Sequence, residues 1–78
     1  MHTVTLEQLK SDSNLRAAWA NKLVYIWSNQ WNLYWRANGR GYTSRVTDGP
    51  GVYDFSDAWR RTAHCGPEKG IEFEEVKS

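Results

Sequence analysis

Hydrophobic positions near the start of the chain recur at a helical spacing. This apolar stripe consists of Leu6, Leu9, Leu15, Ala18 and Trp19. Thr5 and Gln8 have the spacing of a capping box, so we expect a helix to begin here. A Ser-Asp-Ser-Asn run interrupts the stripe, because these side chains compete for backbone hydrogen bonds. Residues 5–21 are therefore predicted to form one helix with a defect or two short helices, the second capped by Ser11 or Ser13.

The middle of the chain is rich in β-branched and aromatic residues, which is typical of extended structure. Residues 22–27 are too short for a helix of their own and predict a first strand, and residues 31–36 predict a second. The Asn-Gly pair at 38–39 favours a type I′ hairpin turn, because both central residues of that turn need a positive φ. With a third strand over 42–46, residues 22–46 are predicted to form a three-stranded antiparallel meander.

The last third of the chain predicts a second helix followed by a strand. The helix is expected over 54–65, with acidic residues in its first turn and basic residues near its end, as the helix dipole favours. Gly66 suits the left-handed position just after the last turn. Residues 71–76 alternate with a period of two, so Ile71 and Phe73 are expected to point inward from a final strand.

These elements predict a single α+β domain spanning residues 1–78, in the order α-β-β-β-α-β, with helices on one face of the sheet. The turn-forming sequence at 48–51 separates the meander from a short extended piece at 52–53. So short a chain buries little surface, and its single cysteine, Cys65, allows no intramolecular disulfide. We expect the high aromatic content, 14% of the residues, to stabilise the fold in place of disulfides or a structural metal. The sequence is compatible with both a monomer and a homodimer.

Charge and cysteine usage restrict the classes of partner. Ten Lys and Arg residues face nine Asp and Glu residues, so net charge gives no reason to expect a polyanion. One unpaired thiol fits a reducing cytosol. The first residues have no signal-peptide pattern, and no apolar run approaches the roughly 20 residues that span a bilayer. We therefore expect a cytoplasmic protein with no membrane partner.

No group of residues in the sequence predicts catalysis. His64 and Cys65 are adjacent, but neighbouring side chains on a helix point about 100° apart, and the negative helix end opposes a thiolate. With His2 they are too few for a structural zinc, which needs about four ligands. Glu72 and Glu74 are expected on the solvated side of an edge strand. We predict no catalytic residue, no metal and no cofactor.

Aromatic and arginine residues cluster in the meander and supply the candidate binding surface. The predicted contact residues are Trp31, Tyr34, Arg36, Arg40 and Tyr42. Exposed aromatic and Arg side chains are enriched at protein–protein hot spots, which favours a protein partner at this near-neutral charge. The alternative is a nucleotide or nucleic acid stacked on the same aromatics beside the Arg residues.

The same region carries a family resemblance. Its matching positions are Trp35, Asn38, Gly41, Tyr42, Thr43, Gly51 and Tyr53. Over roughly residues 24–62 the chain resembles small proteins of tailed bacteriophages and prophages, which carry a Trp-x-x-Asn-x-x-Gly-Tyr-Thr stretch followed by Gly-x-Tyr. Ala37 and Pro50 depart from the group's usual Pro and Ala. The resemblance implies a phage context in the cytoplasm of a bacterial host. It implies no particular reaction. Small phage accessory proteins can act by occluding a surface on a host protein, so we expect a non-enzymatic accessory protein that binds a host protein, with inhibition of host or host-defence proteins as the expected mode.

Overall fold

One antiparallel sheet organises the computed structural model, which describes residues 3–36, 41–43 and 51–76, with only the backbone at 42 and 43. The elements in chain order are β1 (Thr3–Thr5), α1 (Leu6–Ser11), α2 (Ser13–Trp19), β2 (Leu23–Ser28), β3 (Leu33–Trp35), β4 (Tyr42–Thr43), β5 (Tyr53–Asp54), α3 (Phe55–Thr62), a 3-10 turn (Pro67–Lys69) and β6 (Ile71–Glu75). The strands lie in the order β1-β6-β2-β3-β4, and β5 pairs with the start of β2. The predicted α+β class is confirmed.

The core lies between the helices and one face of the sheet. In the pairing of β2 with β6, Ile26 lies opposite Phe73, and both are buried with Val24. The Phe55 ring at the start of α3 meets Phe73 edge to face, with ring centroids 5.6 Å apart. The other core side chains in the described residues are Val4, Leu6, Leu9, Trp19, Tyr53, Ala58, Cys65 and Ile71. All three helices named above contribute, so they share one face of the sheet, and no helix of the described residues covers the other.

The N-terminal region contains two short helices, which was one of the two predicted alternatives; the other was a single helix with a defect. The capping box is confirmed, because the Thr5 hydroxyl accepts from the Gln8 N–H at 3.0 Å and the Gln8 side chain accepts from the Thr5 N–H. The second cap is Asp12, whose Oδ1 accepts from two backbone N–H groups at 3.0 and 3.2 Å. The prediction of Ser11 or Ser13 is wrong, since Ser11 ends the first helix and Ser13 begins the second. Strand β1 was not predicted.

The meander differs from its prediction at several points. The second strand begins at Leu33 rather than 31, because Trp31 lies in a turn in which Asn32 has a φ of 54°. Strand β4 covers residues 42 and 43, and the remainder of the predicted third strand and the Asn-Gly turn lie outside the described residues. The final strand does not lie at the edge, since β6 is inserted between β1 and β2.

The second helix is shorter than predicted. It ends at Thr62 instead of residue 65, and the Cys65 N–H donates to the Thr62 carbonyl in a tight turn. Gly66 does not adopt the left-handed conformation; Gly70, just before β6, does so with a φ of 58°. A Cβ at Gly70 would stand 2.7 Å from the Asn29 Cβ, so this position requires glycine for space as well. The inward orientation of the predicted positions in β6 is confirmed.

Phe73→Ala is expected to lower the free energy of unfolding by about 3–5 kcal/mol, because it removes a fully buried ring at the centre of the core. Urea unfolding followed by tryptophan fluorescence measures this change. Val52→Ala is the control, since Val52 is exposed and its truncation is expected to change stability by no more than about 0.5 kcal/mol. A loss below about 1 kcal/mol for Phe73→Ala would contradict this description of the core.

Candidate functional site

The helix-free side of the sheet carries aromatic and acidic side chains together. Successive residues of a strand point to opposite faces, so the neighbours of the core residues in β2 and β6 point away from the helices. We call this surface the outer face, and it comprises Thr3, Tyr25, Trp27, Tyr34, Glu72 and Glu74. In the sheet register Trp27 lies between Tyr34 and Glu72, and Tyr25 lies opposite Glu74.

Three rings on the outer face form a cluster. The Tyr34 ring lies 4.8 Å from Trp27 and 6.0 Å from Tyr25, at interplanar angles of 65° and 70°. Edge-to-face packing of this kind contributes about 0.5–1.5 kcal/mol for each pair beyond the area buried. The rings therefore support one another and stand on strands that are fixed by the core beneath them.

Hydrogen bonds tie the two carboxylates to this ring cluster. The Tyr34 hydroxyl donates to Glu74 Oε1 at 2.7 Å. Asn29 links the second pair, because its Oδ1 accepts from Trp27 Nε1 at 3.0 Å and its Nδ2 donates to Glu72. Both donors are neutral, and within the described part of the chain no Lys or Arg forms an ion pair with either carboxylate.

The environment of Tyr34 keeps its hydroxyl protonated. Burial, the hydrogen bond to Glu74 and the negative charge of that carboxylate raise the pKa of Tyr34 to about 12. The phenol is consequently a hydrogen-bond donor throughout the physiological range. The negative charge of this region comes from the glutamates and not from the tyrosine.

A cleft of about 280 Å³ opens between these groups. It is lined by Thr3, Trp27, Tyr34, Glu72 and Glu74. The lining combines the rings of Trp27 and Tyr34, which we call the aromatic wall, with the carboxylates of Glu72 and Glu74, which we call the acidic wall, and none of the described lining residues is basic. We call this space the outer-face cleft. Its composition suits a group that is both positively charged and able to stack on a ring.

The predicted contact residues do not form one surface in the described residues. Tyr34 lies on the outer face, and Arg36 follows β3 with an exposed side chain. Trp31 is 59% exposed but lies away from Tyr34, in the turn beside a second cleft. Arg40 and the side chain of Tyr42 lie outside the described residues. Trp31 was included because aromatic and Arg residues cluster in this part of the sequence, and that clustering does not specify which face of the sheet a side chain occupies.

Sequence reasoning missed the aromatic and acidic partners of Tyr34. Tyr25 and Trp27 alternate with buried residues of β2, so their outward orientation could have been read from the period of two. Glu72 and Glu74 show the same period in β6. The period of two does not predict that β6 pairs with β2. That pairing places the carboxylates beside the rings.

The second cleft, of about 200 Å³, contains the His64–Cys65 pair. Ser28, Trp31, Trp35 and Lys69 also contribute to its lining. The two residues were expected to diverge on a helix, but α3 ends at Thr62 and the Cys65 Sγ lies 3.9 Å from His64 Nε2. The thiol is buried, with Cys65 only 8% exposed. In the described part of the chain, no three His, Cys, Asp or Glu side chains converge on a possible metal position.

Comparison with protein-family models, with curated proteins and with solved structures gave no match to this chain. Among the described residues, no helix has the length and apolar character needed to cross a membrane.

Tyr34 is expected to titrate later than an ordinary tyrosine, near pH 12. Since an unfolded tyrosine loses its proton near pH 10, the free energy of unfolding should fall as the pH rises from about 10 to 12. Glu74→Gln should lower the pKa of Tyr34, but only in part, because burial is the largest cause. NMR titration of the tyrosine rings measures this, with Tyr34→Phe as the control that removes the late transition. An unchanged pKa in Glu74→Gln would contradict the contact.

Proposed function

We propose that this chain is a non-enzymatic accessory protein of the phage type, which acts by binding a host protein through its outer face. The observation that carries the proposal is the ring cluster of Tyr25, Trp27 and Tyr34 on the helix-free side of the sheet, beside the carboxylates of Glu72 and Glu74. The resemblance to small phage and prophage proteins supports the biological setting. A small binding domain can inhibit a host or host-defence protein by covering part of its surface, without catalysing a reaction.

The rigidity of the outer face favours recognition. Binding costs free energy for every side chain that must be ordered, and this cost is lower when the side chains are already held. Trp27 is held by Asn29 and by the Tyr34 ring, and Tyr34 is held by Glu74. Trp and Tyr are also among the residues most enriched at interface hot spots. The outer face thus offers preorganised aromatic anchors of the kind that dominate protein–protein binding.

The charge of the outer face favours a protein partner over a nucleic acid. Stacking platforms for single strands combine aromatic rings with cations that follow the phosphates. Here Glu72 and Glu74 stand beside the rings, and the outer-face cleft has no basic side chain among its described lining residues. Two carboxylates repel a phosphate backbone, so a nucleotide or nucleic acid remains the less favoured alternative. A partner surface with positive charge is the complementary one.

Trp27→Ala is expected to abolish capture of the partner from bacterial lysate, since it removes the largest aromatic side chain of the outer face. Trp31→Ala is the matched control, because it removes the same side chain type from the turn beside the second cleft. Affinity capture followed by mass spectrometry compares both variants with the wild type, and circular dichroism checks that they are folded. The proposal requires one protein that is captured by the wild type and Trp31→Ala but not by Trp27→Ala. Equal capture by the two variants, or loss with Trp31→Ala alone, would contradict it.

A further inference from the structure

We infer that the outer-face cleft receives the guanidinium group of an arginine side chain from the protein partner. This inference rests on the proposed function and names the chemistry of its central contact. It follows from the composition of the cleft, which places an aromatic wall and a pair of carboxylates around one space of about 280 Å³. The rings, the carboxylates and the polar contacts that hold both favour this ligand.

The aromatic wall suits a planar cation. Trp27 and Tyr34 both line the cleft, with their centroids 4.8 Å apart. A cation over the face of an indole is attracted by the ring quadrupole, and Trp is the best of the aromatic residues in this role. Arginine is favoured over lysine because its guanidinium is flat, stacks on rings and is less strongly hydrated than an ammonium.

The acidic wall has unsatisfied charge. Glu72 and Glu74 are two residues apart on one strand, so their side chains leave the same face about 7 Å apart along it. Each accepts a hydrogen bond from a neutral donor, and within the described residues neither is paired with a Lys or Arg. An ionised carboxylate can accept about four hydrogen bonds, so acceptor sites remain on both. A guanidinium offers five N–H donors in a fixed fork and neutralises the repulsion between the two charges.

Polar contacts hold the groups that line the cleft. Asn29 accepts from the Trp27 indole and donates to Glu72, and the Tyr34 hydroxyl donates to Glu74. Each ring is thus tied to one carboxylate, so both are positioned before a ligand arrives. Such preorganisation lowers the ordering cost of binding.

The second cleft does not share this chemistry. Its lining includes Lys69 and His64, and none of the lining residues that the structure describes carries a carboxylate. A guanidinium would be repelled there by the positive charge of Lys69. The two clefts therefore favour ligands of different charge. The outer-face cleft is therefore the one assigned to arginine.

Capped tripeptides test the assignment on the intact chain. Gly-Arg-Gly is titrated against Gly-citrulline-Gly, since citrulline has nearly the same shape as arginine without its charge. NMR follows the indole N–H of Trp27 and the ring of Tyr34. We expect the arginine peptide to shift both resonances and to bind at least about tenfold more tightly than the citrulline peptide, a difference of about 1.4 kcal/mol. The same shifts should weaken with added salt, because the contact is ionic.

Glu72→Gln with Glu74→Gln should remove the preference for arginine while the ring cluster remains. The matched control is Glu7→Gln with Glu68→Gln, which makes the same change of charge at two exposed positions outside the cleft. Single Glu72→Gln, expected to lose part of the preference, serves if the double variant is unfolded. Equal binding of the arginine and citrulline peptides, or the same loss in the control, would overturn the assignment. Tighter binding of Gly-Lys-Gly would overturn the choice of guanidinium.

The outcome separates this inference from the proposed function. If the peptides show no arginine preference but Trp27→Ala still abolishes partner capture, the outer face binds a protein by other contacts and only the arginine assignment fails. If the arginine preference is found but capture does not depend on Trp27, the cleft chemistry stands and the proposed binding surface fails.

Discussion

The antiparallel pairing of β2 with β6 is the constraint on which both faces of the sheet depend. Its register sets Ile26 opposite Phe73 on the core side and Trp27 opposite Glu72 on the outer side. Because side chains alternate along a strand, the register that pairs Ile26 with Phe73 in the core also pairs Trp27 with Glu72 on the outer face. A slip of one residue would bury a carboxylate and expose the central phenylalanine, at a cost that a domain of this size cannot sustain. The stability of the core therefore fixes the position of the candidate binding groups.

Aromatic residues serve two purposes in this small domain. Phe55 and Phe73 fill the core, where their edge-to-face contact joins α3 to the centre of the sheet. Trp27 and Tyr34 form a second cluster on the opposite face, where they are only partly buried and hydrogen bonds to side chains help to hold them. The chain has a single cysteine and, in its described residues, no metal-binding cluster, so ring packing is the main source of rigidity that remains on both sides of the sheet.

Local features of the fold could be predicted from the sequence, and long-range ones could not. The capping box at Thr5 and the inward orientation of Phe73 follow from spacing and periodicity, which depend on near neighbours alone. The central position of β6 depends on a pairing across more than forty residues, and the glutamates were consequently expected at a solvated edge. Trp31 lies in a turn, in which Asn32 has a positive φ. The sequence pattern did not identify Asn32 as a turn residue. The candidate site was thus only partly visible in the sequence: Tyr34 was identified and the outward orientation of Trp27 follows from the period of two, while the position of the carboxylates beside the rings required the strand order.

The most direct test of the account is the strand register in solution, measured from cross-strand nuclear Overhauser effects on the labelled protein. The account predicts backbone contacts between Ile26 and Phe73 and between Trp27 and Glu72, together with ring contacts between Trp27 and Tyr34. Contacts of Trp27 with Phe73 in place of Glu72 would show a shifted register. The rings and the carboxylates would then not share a face, and the binding surface described above would not exist.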